Sequence, residues 1–523
     1  LDMEASQRPA PNPPVSKTVA AIDVGSNAVR MVIAEVLPDG RTEILERPHR
    51  GVRLGQDTFR RGRLGGQSMQ AAVAILRDFR QLLNLYKVER IRAVATSAVR
   101  EASNSESFLN RIFMATGLNV EVIATSEESR LTVSAVRQVM GDAMGVAHGW
   151  ALIAEAGGGS TLLTILEEGE IASSQSLRLG SIRLQETLST SGEAPDRAVD
   201  LLRHHIANVA ATLRSSQPLS HIRSFVAVGG DARFAGRQVG KPIGSADLYT
   251  IGESAFDKLV ARCGRHSAEA LGKKYGLPFS EAETLVPALL VYQQLLHETS
   301  AKRMIVSHVS MRDGLLLELA HEVRGEEDTA LVASVIRSAE SIAEKYRVDL
   351  DHATSVTDLA VRLFDELQPE HGLSARQRLM LRVAGLLHEI GSFVSNVAHH
   401  KHSYYLIAHS EIFGLNRDAT EIVAHVARYH RRSSPKTSHL EYMALPREAR
   451  IVVNKLAAIL RVADALSRTR GRKLESPRFE RRGDEFVISM PGATDLLLER
   501  RSLAAKGDMF EDIYGMRLRL EEA

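Results

Sequence analysis

Two short glycine-rich turns carry the residue types that could hold a phosphate group. In AIDVGSN, an apolar stretch ends at Asp23 and is followed by Ser26 and Asn27. In EAGGGST, a second apolar stretch ends at Glu155. Consecutive N–H groups of such a turn form a concave anion site because no side chain blocks it, and serine hydroxyls add donors. A carboxylate at the end of the preceding strand can hold Mg²⁺ or position a water molecule. These residues therefore predict a phosphate site with carboxylates beside it that could take part in hydrolysis.

Each turn alone has a simpler interpretation. GGGS is also typical of a hairpin that binds no ligand, and Asp23 can merely hydrogen-bond its own turn. Two matching turns favour the phosphate site, because a facing pair can clamp a polyanion in a cleft between two lobes.

Two segments of one pattern position these turns. AIDVGSNAVRMVIAEV and LIAEAGGGSTLLTILEEG each predict an apolar strand that ends in an acid, a Gly/Ser turn and a second apolar strand. The repeat predicts two similar α/β lobes that face each other. SEESRLTVSAVRQVM, between the two segments, predicts a helix with Ser126 as its N-cap.

The chain changes character after about residue 325, where amphipathic helices with many histidines begin. The N-terminal stretch is rich in proline and polar residues, which is typical of disorder, and it lacks the apolar core of a secretory signal. The predicted domains are a tail over 1–18, a first lobe over 19–140, a second lobe over 141–324, a helical domain over 325–472 and a small α/β C-terminal domain over 473–523.

Composition excludes some classes of protein. The 523 residues are 44% hydrophobic and 25% charged with a net charge of +2, which indicates a soluble globular protein and gives no sign of nucleic-acid binding. No apolar run is long enough to cross a membrane. The one cysteine, Cys263, allows no disulfide within the chain and fits a reducing cytoplasm.

The motifs, taken in order, resemble those of the exopolyphosphatase/guanosine pentaphosphate phosphatase (Ppx/GppA) family. The resemblance runs from about residue 19 to the end, and the matching segments are AIDVGSNAVRMVI, AVATSAVREASNSESFL, EVIATSEESRL, EAGGGST, LRLGSIRL, VAVGGDAR, VSHVSMRDGLL, LLHEIG and HHKHSYYLI. It implies a two-lobed ribonuclease-H-like fold of the actin and sugar kinase superfamily. It also implies Mg²⁺-assisted hydrolysis of the terminal phosphoanhydride of inorganic polyphosphate or guanosine pentaphosphate.

The resemblance assigns roles to individual residues. It places the base that activates water at Glu128 and the metal ligands at Asp23 and Glu155. The positions that it assigns to phosphate binding are Ser26, Asn27, Arg100, Gly157, Gly158, Gly159 and Ser160. From the residues alone, Glu127 and Glu128 also suit the solvated first turn of a helix, and Arg100 also suits a salt bridge.

Three positions depart from the family pattern. The family usually has Asp at Glu155, a second Glu at Leu162, and Thr or Ser at Asp231. Leucine cannot bind a metal, and an added carboxylate would repel a polyanion. Leu162 and Asp231 favour an alternative in which the protein binds polyphosphate or an alarmone without hydrolysing it.

The histidine-rich region resembles HD-type phosphohydrolase domains through His352, His388, Glu389 and Asp464, with Glu389 in place of the usual Asp. Imidazole and carboxylate groups suit several divalent ions, so one interpretation is a second metal site. The other is a relic of such a site whose polar residues line a groove. Related proteins are thought to use this domain for a substrate channel and dimer contacts, which implies a homodimer.

The sequence thus predicts first an Mg²⁺-dependent exopolyphosphatase of the cytoplasm, with no specificity for nucleic acid and no membrane segment. Guanosine pentaphosphate phosphohydrolase is the alternative within the same chemistry. A binding protein without turnover, or a kinase or ATPase of the same superfamily, stays open.

Overall fold

The computed structural model describes residues 16–141, 146–244, 248–326, 328–431, 433–467, 477–491 and 496–522. The chain forms two compact units that divide between Glu327 and Asp328. Most of the tail predicted over 1–18 lies outside the described residues, and the first strand begins at Lys17. No helix among the described residues is both long and apolar enough to span a membrane.

The first lobe is built on a mixed sheet in the order β3-β2-β1-β5-β6, with β4 paired to β2. Its strands are β1 (Lys17–Val24), β2 (Ala28–Val36), β3 (Thr42–Glu46), β4 (His49–Gly51), β5 (Arg90–Ala95) and β6 (Val120–Val122). β1 pairs antiparallel with β2 and parallel with β5. The turn between β1 and β2 holds the first glycine-rich motif.

The second lobe repeats this order as β9-β8-β7-β10-β13 and extends it with β12 and β11. Its strands are β7 (Trp150–Ala156), β8 (Thr161–Glu167), β9 (Glu170–Leu177), β10 (Ser224–Val228), β11 (Lys241–Ile243), β12 (Leu248–Gly252) and β13 (Arg303–Val306). β7 pairs antiparallel with β8 and parallel with β10. The repeat of two α/β lobes predicted from the sequence is confirmed.

Helices cover both sheets of this first unit. They are α1 (Leu54–Arg61), α2 (Gly66–Leu85), α3 (Ser97–Arg100), α4 (Ser105–Thr116), α5 (Thr125–Met140), α6 (Ser181–Leu188), α7 (Pro195–Ser216), α8 (Gly230–Val239), α9 (Glu253–Gly264), α10 (Ala268–Tyr275), α11 (Phe279–Glu298) and α12 (Met311–Arg324), with 3₁₀ turns at Thr190–Gly192 and Leu219–His221. The predicted cap of α5 is wrong by two residues, since Ala124 is the N-cap and Ser126 lies inside the helix.

Two helices pack across the lobes. α5 follows the first sheet but buries Val133 and Val136 among residues of the second sheet, whereas α12 buries Leu315 and Leu319 against the first sheet. Burial of these side chains contributes on the order of 2 kcal/mol each. The crossing of α5 and α12 therefore holds the two lobes to each other.

The second unit is a helical bundle with a small sheet. Its helices are α13 (Thr329–Lys345), α14 (Leu350–Glu366), α15 (Gln368–His371), α16 (Ala375–Leu387), α17 (His399–Ala408), α18 (Arg417–Arg428), α19 (Leu440–Met443), α20 (Arg447–Leu466), α21 (Leu497–Lys506) and α22 (Asp508–Tyr514), with a 3₁₀ turn at Ile390–Phe393. Its strands, in the sheet order β14-β15-β16, are β14 (Arg478–Arg482), β15 (Glu485–Met490) and β16 (Arg517–Glu522).

The sheet of the second unit shares its core with the helices. Phe486, Ile488 and Phe510 belong to the same buried apolar cluster as Leu456 and Leu460 of α20. The C-terminal strands and helices therefore form one hydrophobic core with the bundle, and a separate α/β domain over 473–523 stays a prediction.

Candidate active site

A cavity of about 850 Å³ lies in the first unit and is lined by both glycine-rich turns. We call this cavity the cleft. The residues predicted for catalysis, metal binding or phosphate binding that line it are Asp23, Ser26, Asn27, Glu128, Glu155, Gly157, Gly158, Gly159 and Ser160. Arg100 is not among the lining residues.

The two turns lie in direct contact. A methyl group at Gly159 would overlap with Phe59 and Ser97 and would lie 2.8 Å from the Ser26 Oγ. Ser26 and Ser97 are themselves linked by a hydrogen bond of 3.0 Å between their hydroxyls. A side chain at 159 would have to displace these groups, so the third glycine of GGGS lets the second turn lie against the first.

The second turn has free donors. The Gly157 N–H donates to the Ser160 carbonyl at 2.9 Å, and the N–H groups of Ser181 and Ile182 donate to carbonyls of the turn. The N–H groups of Gly158 and Gly159 find no acceptor among the residues that the structure describes. Unpaired backbone donors at the wall of a cavity form an anion site.

Glu128 places a carboxylate in the cleft. It lies in the first turn of α5 and forms an ion pair with Arg100, whose Nη1 also donates to the Ile123 carbonyl at 2.7 Å. Burial raises the pKa of Glu128 to about 7; Arg100 opposes this effect, and the charges of Glu155 and Asp23 add to it. A carboxyl group with a pKa near neutrality is suited to accept a proton from water.

The neighbouring glutamate has a different role. Glu127 is buried and accepts from the Arg130 Nε and Nη2 at 2.9 Å each and from Arg92 at 3.1 Å. Arg92 and Arg130 both pair with Glu318 of α12 as well. This ion-pair network fastens α5 to α12 and β5, and it leaves Glu128 as the member of the pair that faces the cleft.

Asp23 and Glu155 occupy equivalent positions in the two lobes, each one residue before the end of its strand. Asp23 lies opposite Arg30 in the β1/β2 pair, and Glu155 lies opposite Leu162 in the β7/β8 pair. The repeat therefore places an arginine in one lobe where the other has a leucine.

The partners of these acids are arginines and a threonine. The Asp23 carboxylate lies 3.1 Å from Arg312 and 3.7 Å from Arg30. The Glu155 carboxylate accepts from the Thr132 hydroxyl at 3.3 Å, and burial followed by the charge of Asp23 raises its pKa.

These side chains do not suit a Mg²⁺ ion held by Asp23 and Glu155. Leu162 offers no oxygen, and Asp23 is already paired with cations. The cleft carboxylates are also not among the groups of three or more possible ligands that converge within 4.8 Å in the described part of the chain.

Asp231 also lines the cleft, where an added charge was expected to repel a polyanion. Burial, assisted by Glu281, raises the pKa of Asp231 to about 7. The group is therefore partly neutral near pH 7, which weakens the expected repulsion.

The sequence interpretation missed several cations of the cleft, including Arg30 and Arg233. The sequence does indicate Arg30, because a charged residue there interrupts the apolar run of β2, a strand that is buried on most of its length. Arg183, by contrast, is structural: it donates to the Gly159 carbonyl at 2.6 Å, pairs with Glu101 and lies over the Phe59 ring.

In the second unit, three of the four predicted HD-like residues converge. The possible ligand atoms of His352, His388 and Glu389 all lie within 4.8 Å of one another. The His388 Nδ1 lies 2.6 Å from the Gly385 carbonyl, and its buried Nε2 has no hydrogen-bond partner in the described residues. The donor set is compatible with a divalent ion, and metal binding here stays a prediction.

Asp464, the fourth residue, is paired with a lysine. It forms a buried ion pair with Lys506 of α21. Burial would raise the pKa of Asp464, but Lys506 and then His388 and His430 lower it below its usual range. The ammonium group supplies positive charge beside the histidines, and Asp464 lies outside the converging group of three.

This pair generates a stability prediction. Lys506→Met should lower the free energy of unfolding of the second unit by about 3–5 kcal/mol, because it leaves the Asp464 carboxylate buried and unpaired. Asp464→Leu/Lys506→Met should recover most of the loss. Hydrogen exchange of the α20 amides measures this unit within the whole chain. An unchanged exchange rate in Lys506→Met would show that the ion pair does not stabilise the unit.

Comparisons with known proteins agree with this architecture. The model of the Ppx/GppA phosphatase family matches residues 32–323, and the model of its domain III matches residues 336–506. A guanosine-5′-triphosphate,3′-diphosphate pyrophosphatase of Photobacterium profundum is 23% identical over 487 residues, 92% of this chain and 93% of that protein. One of Aeromonas hydrophila is 27% identical over 490 residues, 91% and 92% of the two chains. The crystal structure of an exopolyphosphatase from Cytophaga hutchinsonii has a TM-score of 0.53 at 22% identity and covers 60% of this chain and 99% of that chain, which shows the fold.

Proposed function

Because the chain belongs to the Ppx/GppA phosphatase family, we propose that it hydrolyses a terminal phosphoanhydride bond in the cleft between its two lobes. One observation carries the proposal: Glu128, with a pKa near 7, lies in the same cavity as the unpaired N–H groups of Gly158 and Gly159. A proton acceptor and an anion site in one cavity are what attack of water on a phosphate requires.

Each group of residues in the cleft has its own role in the proposed reaction. The turn donors hold the terminal phosphate, and Glu128 accepts a proton from the water whose oxygen forms the new bond to phosphorus. The bridging P–O bond breaks, and its electron pair leaves with the rest of the substrate. Arg30 and Arg312 line the same cavity and can stabilise the charge that grows on the leaving phosphate. The proton on Glu128 then passes to solvent.

We propose guanosine pentaphosphate as the substrate, in place of the polyphosphate that we expected first from the sequence. The curated relatives that match nearly the whole chain carry the name of that activity. The cleft also presents apolar side chains, among them Leu277, Leu285 and Phe234. A base or ribose can contact such side chains, whereas a chain of phosphates has no apolar group that could contact them.

Inorganic polyphosphate is the second candidate, and the number of arginines favours it. Those that line the cleft are Arg30, Arg47, Arg233, Arg237 and Arg312. Guanidinium groups in succession can bind successive phosphates of a linear chain.

A comparison of substrates tests this choice. Leu277→Ser should lower kcat/KM for guanosine pentaphosphate by about tenfold, because it removes apolar contact with the nucleoside, and should leave polyphosphate unaffected. Phosphate release from both substrates is the measurement. Leu85→Ser, on an exposed leucine outside the cleft, is the control. An equal loss for both substrates would contradict a nucleoside contact at Leu277.

Glu128→Gln tests the base. Turnover should fall by about 10²–10⁴-fold while binding persists, because glutamine keeps the shape but cannot accept the proton. Single-turnover phosphate release and calorimetric binding separate the two effects. Glu127→Gln is the matched control, and its main effect should be on stability. Equal turnover by the wild type and Glu128→Gln would exclude Glu128 as the base, and binding without turnover by both would favour a non-hydrolytic protein.

The pH profile tests the charge of Glu128. The base is active when deprotonated, so kcat should rise as the pH increases through about 7 and level off above it. Arg100 lowers the pKa of Glu128, so Arg100→Met should move this limb to higher pH. If the rise of kcat occurs at the same pH in Arg100→Met as in the wild type, the titration belongs to another group.

A further inference from the structure

Three arginines converge in the cleft from both lobes. Arg30 is the third residue of β2 in the first lobe, Arg233 lies in α8 of the second, and Arg312 lies in α12. All three line the cavity that contains both glycine-rich turns. Burial lowers the pKa of Arg30 and of Arg233, and the neighbouring guanidinium groups lower it further, so the three charges are close enough to repel one another.

Among the described carboxylates, only that of Asp23 lies within ion-pair distance of these arginines. Arg312 and Arg30 share the Asp23 carboxylate, at 3.1 and 3.7 Å. Among the described residues, Arg233 has no carboxylate within ion-pair distance, and its Nη1 donates to the His308 carbonyl at 3.3 Å. A guanidinium group has five N–H donors, so Arg233 keeps most of its donors for a ligand.

Arg233 and Leu162 line the same cavity as Glu155. Leu162 stands directly opposite Glu155 in the hairpin, and side chains in that relation lie roughly 5 Å apart. A carboxylate at 162 would make a pair of acids suited to a divalent ion. The chain instead has a leucine there, and the charges of Arg312 and Arg233 act on Glu155, where they oppose the rise of its pKa.

We propose that Arg233 binds a phosphate of the substrate and that Arg30, Arg233 and Arg312 together supply the positive charge that a carboxylate-held metal would supply. The inference deepens the proposed function, since it concerns the same cleft. Its ligand class is the linear phosphoanhydride, whether free or attached to a nucleoside. Phosphate binding then requires no divalent ion ligated by the protein.

Calorimetric titration with inorganic tripolyphosphate tests the proposal without turnover. The wild type should bind in excess EDTA with an affinity within about threefold of that in Mg²⁺, and Arg233→Met should lose at least about tenfold in both conditions. Arg203→Met, on an exposed arginine of α7 outside the cleft, should bind as the wild type does. Arg233→Lys keeps the charge and should retain part of the affinity, which separates loss of charge from loss of fold.

A double variant tests the exchange of arginine for metal. Leu162→Glu/Arg233→Thr restores an acid beside Glu155 and removes the cation, so its binding of tripolyphosphate should become dependent on Mg²⁺. Loss of wild-type binding in EDTA, or undiminished binding by Arg233→Met, would overturn the proposal.

Binding in EDTA and phosphate release together distinguish a failure of the arginine site from a failure of the proposed function. Binding in EDTA with no phosphate release from either substrate would contradict hydrolysis and leave the arginine site standing. Hydrolysis in Mg²⁺ with no binding in EDTA would contradict the arginine site and leave hydrolysis standing.

Discussion

The contact of Gly159 with Ser26 and Ser97 is the constraint on which the cleft depends. It joins the turn of one lobe to the turn of the other so closely that a side chain at 159 would have to displace Phe59, Ser97 and Ser26. Arg183 and the start of α6 hold the second turn from behind, through its carbonyl oxygens. The unpaired N–H groups are thereby kept in the wall of the cavity, and a phosphate bound there would lie within reach of both lobes.

Two adjacent glutamates show how burial and partners separate structural from chemical roles. Glu127 is surrounded by arginines that hold its charge and tie α5 to α12. Glu128 has one arginine and two carboxylates in its surroundings, and burial dominates its pKa. The network around Glu127 positions the helix from which Glu128 reaches the cleft. The same ion pairs therefore stabilise the packing of α5 against α12 and position the base.

The sequence predicted the repeated strand–turn–strand units well, because strands buried on both faces leave long apolar runs and the turns between them require glycine. It could not predict that Arg233 would stand near Glu155, because their proximity arises from the parallel pairing of β7 with β10. Nor could spacing reveal that Lys506 pairs with Asp464 across the core of the second unit. Ser126 was expected as an N-cap because serine suits that position, but the helix begins at Thr125.

The central claim is that a terminal phosphate binds between the two turns beside Glu128. A crystal structure with the non-hydrolysable β,γ-imido analogue of guanosine pentaphosphate tests it most directly. The terminal phosphate should accept hydrogen bonds from the Gly158 and Gly159 N–H groups, with a water at about 3 Å from the Glu128 carboxylate on the side away from the leaving group. A terminal phosphate bound elsewhere, or a Glu128 carboxylate with no access to that water, would contradict the account.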